Sequence, residues 1–194
     1  MRKEKKQGFT LVELAIVLVI IGIILGAVIK GQDLIANARA KRFASELRKW
    51  EVMLWTYYDR HHKFPANKDK LGGLRAQVQN PIPLGGTYFW FGFGKDARGR
   101  EVLVVCPGDE NTASCTSANV TEEVAFYFRN VDLSIDGAEN ATDGLVLCLG
   151  SGSINTSDWT LTGTVDNCSD DYWNGTGVTG LIYSLGAQSF NDQD

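Results

Sequence analysis

Apolar residues fill positions 9–29, and Glu13 is the only charge among those 21 residues. As a helix rising ~1.5 Å per residue, this run would be roughly 30 Å long, the thickness of a bilayer core. Beyond residue 30 the pattern changes. Phe43, Leu47, Trp50, Leu54, Tyr57 and His61 recur at steps of 4, 3, 4, 3 and 4, which is one face of an amphipathic helix. Arg39, Lys41, Arg42, Arg48 and Lys49 take its other faces, and Pro65 stops it at about Lys63. Trp50, Trp55, Tyr57, Tyr58 and Phe64 read as core rather than as an electron path. The adjacent His61 and His62 point in different directions on a helix and read as surface or packing residues.

Residues 66–86 are polar and turn-rich and read as a loop with at most a short helix. Residues 87–93 and 100–106 are aromatic and β-branched and flank a glycine-bounded turn, which predicts a hairpin. Residues 121–129 read as a short helix with a threonine cap and an acidic first turn, with a strand as the alternative. Further strands are expected over 144–149, 159–165 and 178–185. The fold class is α+β: a long N-terminal helix, half membrane-spanning and half amphipathic, packed against a small antiparallel sheet head. The organisation expected is a basic leader at 1–8, a membrane or filament-core helix at 9–30, an amphipathic helix at 31–64 and a globular head at 65–194.

The first eight residues carry four Lys or Arg and one Glu. Basic residues stay on the cytoplasmic side, so the C-terminal bulk should face away from it. No small-x-small cleavage site directly abuts the apolar run, unlike in an ordinary secretory signal. A carboxylate one turn into an apolar span costs a few kcal/mol, so Glu13 needs a partner or a place near the interface. The run K-x-G-F-T-L-V-E-L, from Lys6 to Leu14, resembles the class III signal of type IV prepilins and type II secretion pseudopilins. The resemblance implies that a prepilin peptidase cuts between Gly8 and Phe9 and methylates the new N-terminus. It also implies that the Phe9 amine pairs with Glu13 of a neighbouring subunit. Lys30-Gly-Gln-Asp-Leu-Ile-Ala-Asn-Ala-Arg and Tyr58-Asp-Arg-His-His-Lys-Phe-Pro are similar to one prepilin subgroup and extend the likeness to about residue 66. Gly22 and Gly26 form a small-x-x-x-small pair that allows close helix approach. Related pilins unwind here on assembly, and Gly22, Gly26 and Gly31 would permit that.

Removing residues 1–8 takes the formal charge from −4 to −7. An acidic chain argues against nonspecific nucleic-acid binding, which needs a basic face. Four cysteines in a chain that leaves the cytoplasm suggest two disulfides. Three pairings are possible. Cys106–Cys115 and Cys148–Cys168 are favoured, because each closes a short polar excursion leaving a strand.

No nucleophile elbow, phosphate-cradling loop or zinc spacing is present, so no catalysis is expected. Asn-x-Ser/Thr sequons at Asn119, Asn140, Asn155, Asn167 and Asn174 reflect a tail rich in those residues. One stretch could bind an ion. Asp132, Ser134 and Asp136 stand at positions one, three and five of a twelve-residue calcium loop, with Gly137 at six. Ala138 would give a carbonyl, Asn140 a side chain or water, and Asp143 the last ligand. It departs from that pattern at Glu139, at the short Asp143 and in the strand-like residues that follow. The same stretch resembles the L-D-D-G-x-P-x-T-G turn of the prepilin subgroup, which is read as structural. No cofactor is required, and Ca2+ is the possible one. The resemblance implies a structural subunit of a type IV pilus or secretion pseudopilus. It would sit in the inner membrane with its head in the periplasm before joining a filament of identical or related subunits. A minor tip-located adhesin or receptor is the alternative.

Overall fold

The computed structural model describes residues 10–169, 172–173 and 177–186. The chain divides into two compact units, residues 1–38 and 39–194. In the first, helix α1 (Leu11–His61) begins. Its apolar side chains stand exposed from Leu11 to Ile35. This stretch is long and apolar enough to cross a membrane.

The second unit holds the rest of α1, whose buried residues are Ala40, Phe43, Leu47, Trp50, Met53, Leu54 and Tyr57. This is the stripe read from the sequence, except that His61 is exposed and stacks on Tyr57 with centroids 4.1 Å apart. The helix ends at His61, two residues earlier than Pro65 suggested, and His62 takes a left-handed φ of 53°.

A 3-10 segment (Lys68–Gln77) and a short strand β1 (Ile82–Leu84) occupy the stretch read as a loop. Leu71 and Leu74 of the former and Ile82 and Leu84 of the latter are buried, which is what orders so polar a segment. The hairpin forms as β2 (Thr87–Lys95) and β3 (Glu101–Gly108). Helix α2 (Glu122–Ile135) starts at Thr121, whose side chain accepts from the Val124 N–H. Strands β4 (Val146–Ile154), β5 (Leu161–Asn167) and β6 (Gly180–Ser184) follow. All six form one sheet in the order β1-β2-β3-β6-β4-β5, with antiparallel neighbours throughout. The last strand thus inserts between β3 and β4.

Both faces of the sheet are buried. Phe89, Phe91, Leu103, Val105, Val146, Leu181 and Tyr183 point to α1 and α2. The alternate residues Trp90, Val102, Val104, Leu147, Leu149 and Ile182 form a second core with Ile154 and Val165. The sheet builds that second cover from itself. Phe93 N donates to Trp159 O at 3.0 Å and Ala97 N to Val165 O at 2.9 Å, which folds the β4–β5 end across β2. Gly92 makes room for it, because a Cβ there would lie 2.9 Å from Ile154. The unbroken apolar run of β3 is the sequence mark of a strand buried on both sides.

Candidate functional site

Gly8 and Phe9, the expected processing residues, lie outside the described residues. Glu13 does not. Thr10 precedes the first turn of α1, and its backbone N–H and hydroxyl both donate to Glu13 Oε2 at 2.8 Å. The Glu13 N–H donates back to Thr10 Oγ1 at 3.3 Å. This reciprocal arrangement is a capping box, which satisfies two of the orphan amides at a helix start. The sequence reading weighed Glu13 alone and missed Thr10, although a T-x-x-E spacing ahead of an apolar run is its signature. The cap holds the carboxylate at the helix start, with one of its oxygens already engaged. Among the described residues no cation lies within ion-pairing distance of Glu13.

The acidic stretch at 132–143 does not form the loop expected of it. The apolar period of α2 buries Val124, Ala125, Tyr127, Phe128 and Val131, and the same period carries Asp132 into the core. Asp132 and Ser134 are therefore helical. Asp132 Oδ2 accepts from Trp173 Nε1 and from the Asn140 N–H, each at 2.9 Å. Ser134 Oγ donates to Val131 O at 2.8 Å. Asp136 Oδ2 accepts from the N–H groups of Leu145 and Val146 at 3.0 and 2.8 Å, tying the helix end to β4. Asn140 Oδ1 accepts from Thr142. Ala138 is exposed and Asp143 half-buried. These residues do not fit a calcium ion as a set. Their oxygens serve backbone and indole donors, and no group of three or more His, Cys, Asp or Glu among the described residues could hold a metal.

What the arrangement creates instead is a buried carboxylate. Asp132 is fully buried, and its Oδ1 accepts no hydrogen bond among the described residues. Burial, reinforced by the charge of Asp136, pushes its carboxyl up from 3.8 to about 7, against the Trp173 hydrogen bond that favours the charged form. A folded-state value above the unfolded one means that the folded chain holds the proton more tightly. The resulting stabilisation is complete below about pH 4 and is lost as pH rises through 7. The span is on the order of 4 kcal/mol. Asp132→Asn mimics the protonated acid and keeps the acceptor for Trp173. We expect the variant to lose most of the fall in melting temperature between pH 5 and 8. An equal slope in wild type and variant would show that Asp132 is not the titrating group.

The thiols are oxidised in two pairs, Cys106 with Cys115 and Cys148 with Cys168. The first closes the excursion after β3, and the second ties β4 to the chain just beyond β5.

A family model for the prokaryotic N-terminal methylation motif matches residues 3–29, the segment that carries Gly8, Phe9, Thr10 and Glu13. The chain thus carries the N-terminal methylation motif at the place where its sequence resembles prepilins and pseudopilins. It is 29% identical over 130 residues to the type II secretion system core protein G of Escherichia coli strain K12, covering 62% of this chain and 86% of that protein. No solved structure matches it. The long helix packed against an antiparallel sheet is a pilin-like arrangement. The likeness to the secretion protein reaches well beyond the 27 residues of the motif, so it includes part of the head.

Proposed function

We propose that this chain is a structural subunit of a type IV pilus or a type II secretion pseudopilus, made as a single-pass inner-membrane precursor with its head in the periplasm. A prepilin peptidase cuts between Gly8 and Phe9. The new Phe9 amine then pairs with Glu13 of a neighbouring subunit, and the apolar residues 9–29 pass from lipid into the filament core. The observation that carries this reading is the position of Glu13. It is the one charge in the apolar run, five residues into the chain that the cut would leave. A carboxylate there is costly in lipid, and a cation from the next subunit removes that cost.

The cut itself is directly testable. Gly8 presents no side chain to the peptidase, so Gly8→Trp should leave full-length precursor in the membrane. Intact-mass measurement of the wild-type mature protein should give a chain starting at N-methylated Phe9, and any other start would refute the reading. Imaging of filaments bearing an epitope tag on this chain separates a subunit spread along the fibre from one at its tip.

A further inference from the structure

Charge is segregated along this chain to a degree that its modest total conceals. Residues 39–100 carry thirteen Lys and Arg against five Asp and Glu, a net +8. Residues 101–194 carry one basic residue, Arg129, against fifteen acids, a net −14. The fold does little to neutralise one half with the other. Among the described residues two ion pairs join the halves, Arg39 with Glu123 at 3.0 Å and Lys95 with Glu101 at 3.7 Å.

Part of the unspent positive charge lies on one exposed face of α1. Lys41, Arg42 and Arg48 are exposed, and none has a carboxylate within ion-pairing distance among the described residues. Lys49 is exposed beside them, paired with Glu46 of its own helix. Val52, 62% exposed, continues the face toward the helix end. Of the acids, Glu110 in the Cys106–Cys115 loop, Glu139 after α2 and Asp166 on β5 are exposed, and none has a basic partner within ion-pairing distance among the described residues.

We propose that the Lys41, Arg42 and Arg48 face of α1 docks on the acidic surface of a second copy of this chain, so that each subunit offers its basic face to one neighbour and its acidic surface to the other. Charge complementarity picks the occupant. A two-fold axis through the basic face would set it against itself, whereas a head-to-tail contact of basic face on acidic residues is heterologous and propagates into a fibre. A chain that is −7 after processing repels its copies as a uniform sphere would. Segregation turns that repulsion into an ordered attraction that sets register and direction. The inference rests on the filament reading above and adds to it a second contact, made outside the apolar segment.

The test uses the full chain in cells that assemble it. Arg42→Glu with Arg48→Glu should lower filament yield by on the order of tenfold, with cutting at Gly8, membrane insertion and both disulfides unchanged. Reversing Glu110, Glu139 or Asp166 to Lys in the same chain should restore yield for at least one of the three. Wild-type yield in the double variant, or rescue by none of the three reversals, overturns the proposal. So does loss of the double variant from membranes, which would assign the basic face to anionic lipid headgroups. Glu13→Leu, run alongside, separates the two ideas. If it abolishes filaments while the arginine reversals do not, only the docking surface falls. If the wild-type chain enters no filament, the filament reading falls first; if Glu13→Leu assembles normally, only the pairing of Phe9 with Glu13 falls.

Discussion

Glu13→Leu should be inserted and cut normally and yet be nearly absent from filaments. Leucine removes a carboxylate that costs roughly 2.5–3.5 kcal/mol at the centre of an apolar span, so insertion is eased. Assembly suffers because the neighbour's Phe9 amine would then enter an apolar core without its counter-charge. Breaking a buried pair from one side costs about 3–5 kcal/mol, or roughly 10²–10⁴-fold in the association constant of each subunit. The cap complicates this, since leucine also removes the acceptor for the Thr10 N–H and hydroxyl. Such caps are worth about 1 kcal/mol. Glu13→Gln separates the two, because glutamine serves a capping box equally well but carries no charge. Both variants should be cut at Gly8 and both should fail to assemble, as counted from sheared filaments. Normal assembly of Glu13→Gln would assign the residue to the cap alone.

The second large effect is expected at Trp50. Its side chain is fully buried where α1 meets the sheet, its ring stacked on Phe91 with centroids 5.2 Å apart and planes 3° apart. Trp159 meets it edge-on at 5.3 Å. Trp159 is in turn covered by the Arg75 guanidinium at 5.2 Å and the Lys68 ammonium at 5.9 Å. Trp50 is thus the inner member of a stack that fastens the 3-10 segment and the β4–β5 turn to the helix. Truncating a buried tryptophan to alanine costs about 3–5 kcal/mol, much of the net stability of a domain this size. Trp50→Phe should cost far less. It keeps the stack on Phe91, and it removes an indole N–H that finds no acceptor among the described residues. Thermal melting of residues 39–194 with both disulfides intact measures both variants. An alanine variant melting within a degree or two of wild type would show that the stack carries little of the head's stability.

The local elements were legible because local chemistry makes them. A 4-3-4-3 spacing of Phe43, Leu47, Trp50, Leu54 and Tyr57 admits one helical face, and these are the residues that α1 buries. Thr121 followed by two glutamates caps and charges the start of α2 as its chemistry requires. The hairpin of β2 and β3 was marked by its glycine-bounded turn. In the segment before it, the short helix was allowed for but strand β1 was missed. Polar composition at 66–86 concealed four buried aliphatics, Leu71, Leu74, Ile82 and Leu84, that are too sparse to make a period. The acidic stretch at 132–143 misled for the opposite reason. Its one-three-five spacing fits a calcium loop on paper, but the helical period arriving from Val124 and Phe128 continues through Asp132, and burial of that face outweighs the loop.

The sequence by itself determined the apolar run and its one carboxylate, the resemblance built on them, the helical stripe, the class of the head and its charge segregation. Each of these depends on residues a few positions apart or on composition alone. Only the tertiary structure decided that β6 lies between β3 and β4, that the sheet covers its own outer face, and that Asp132 is a proton-holding acid under Trp173. Those outcomes join residues tens of positions apart, such as Val105 with Leu181 and Asp132 with Trp173. Which of the distant partners meet is set by how all the apolar faces can be buried at once, and no short window of sequence contains that competition.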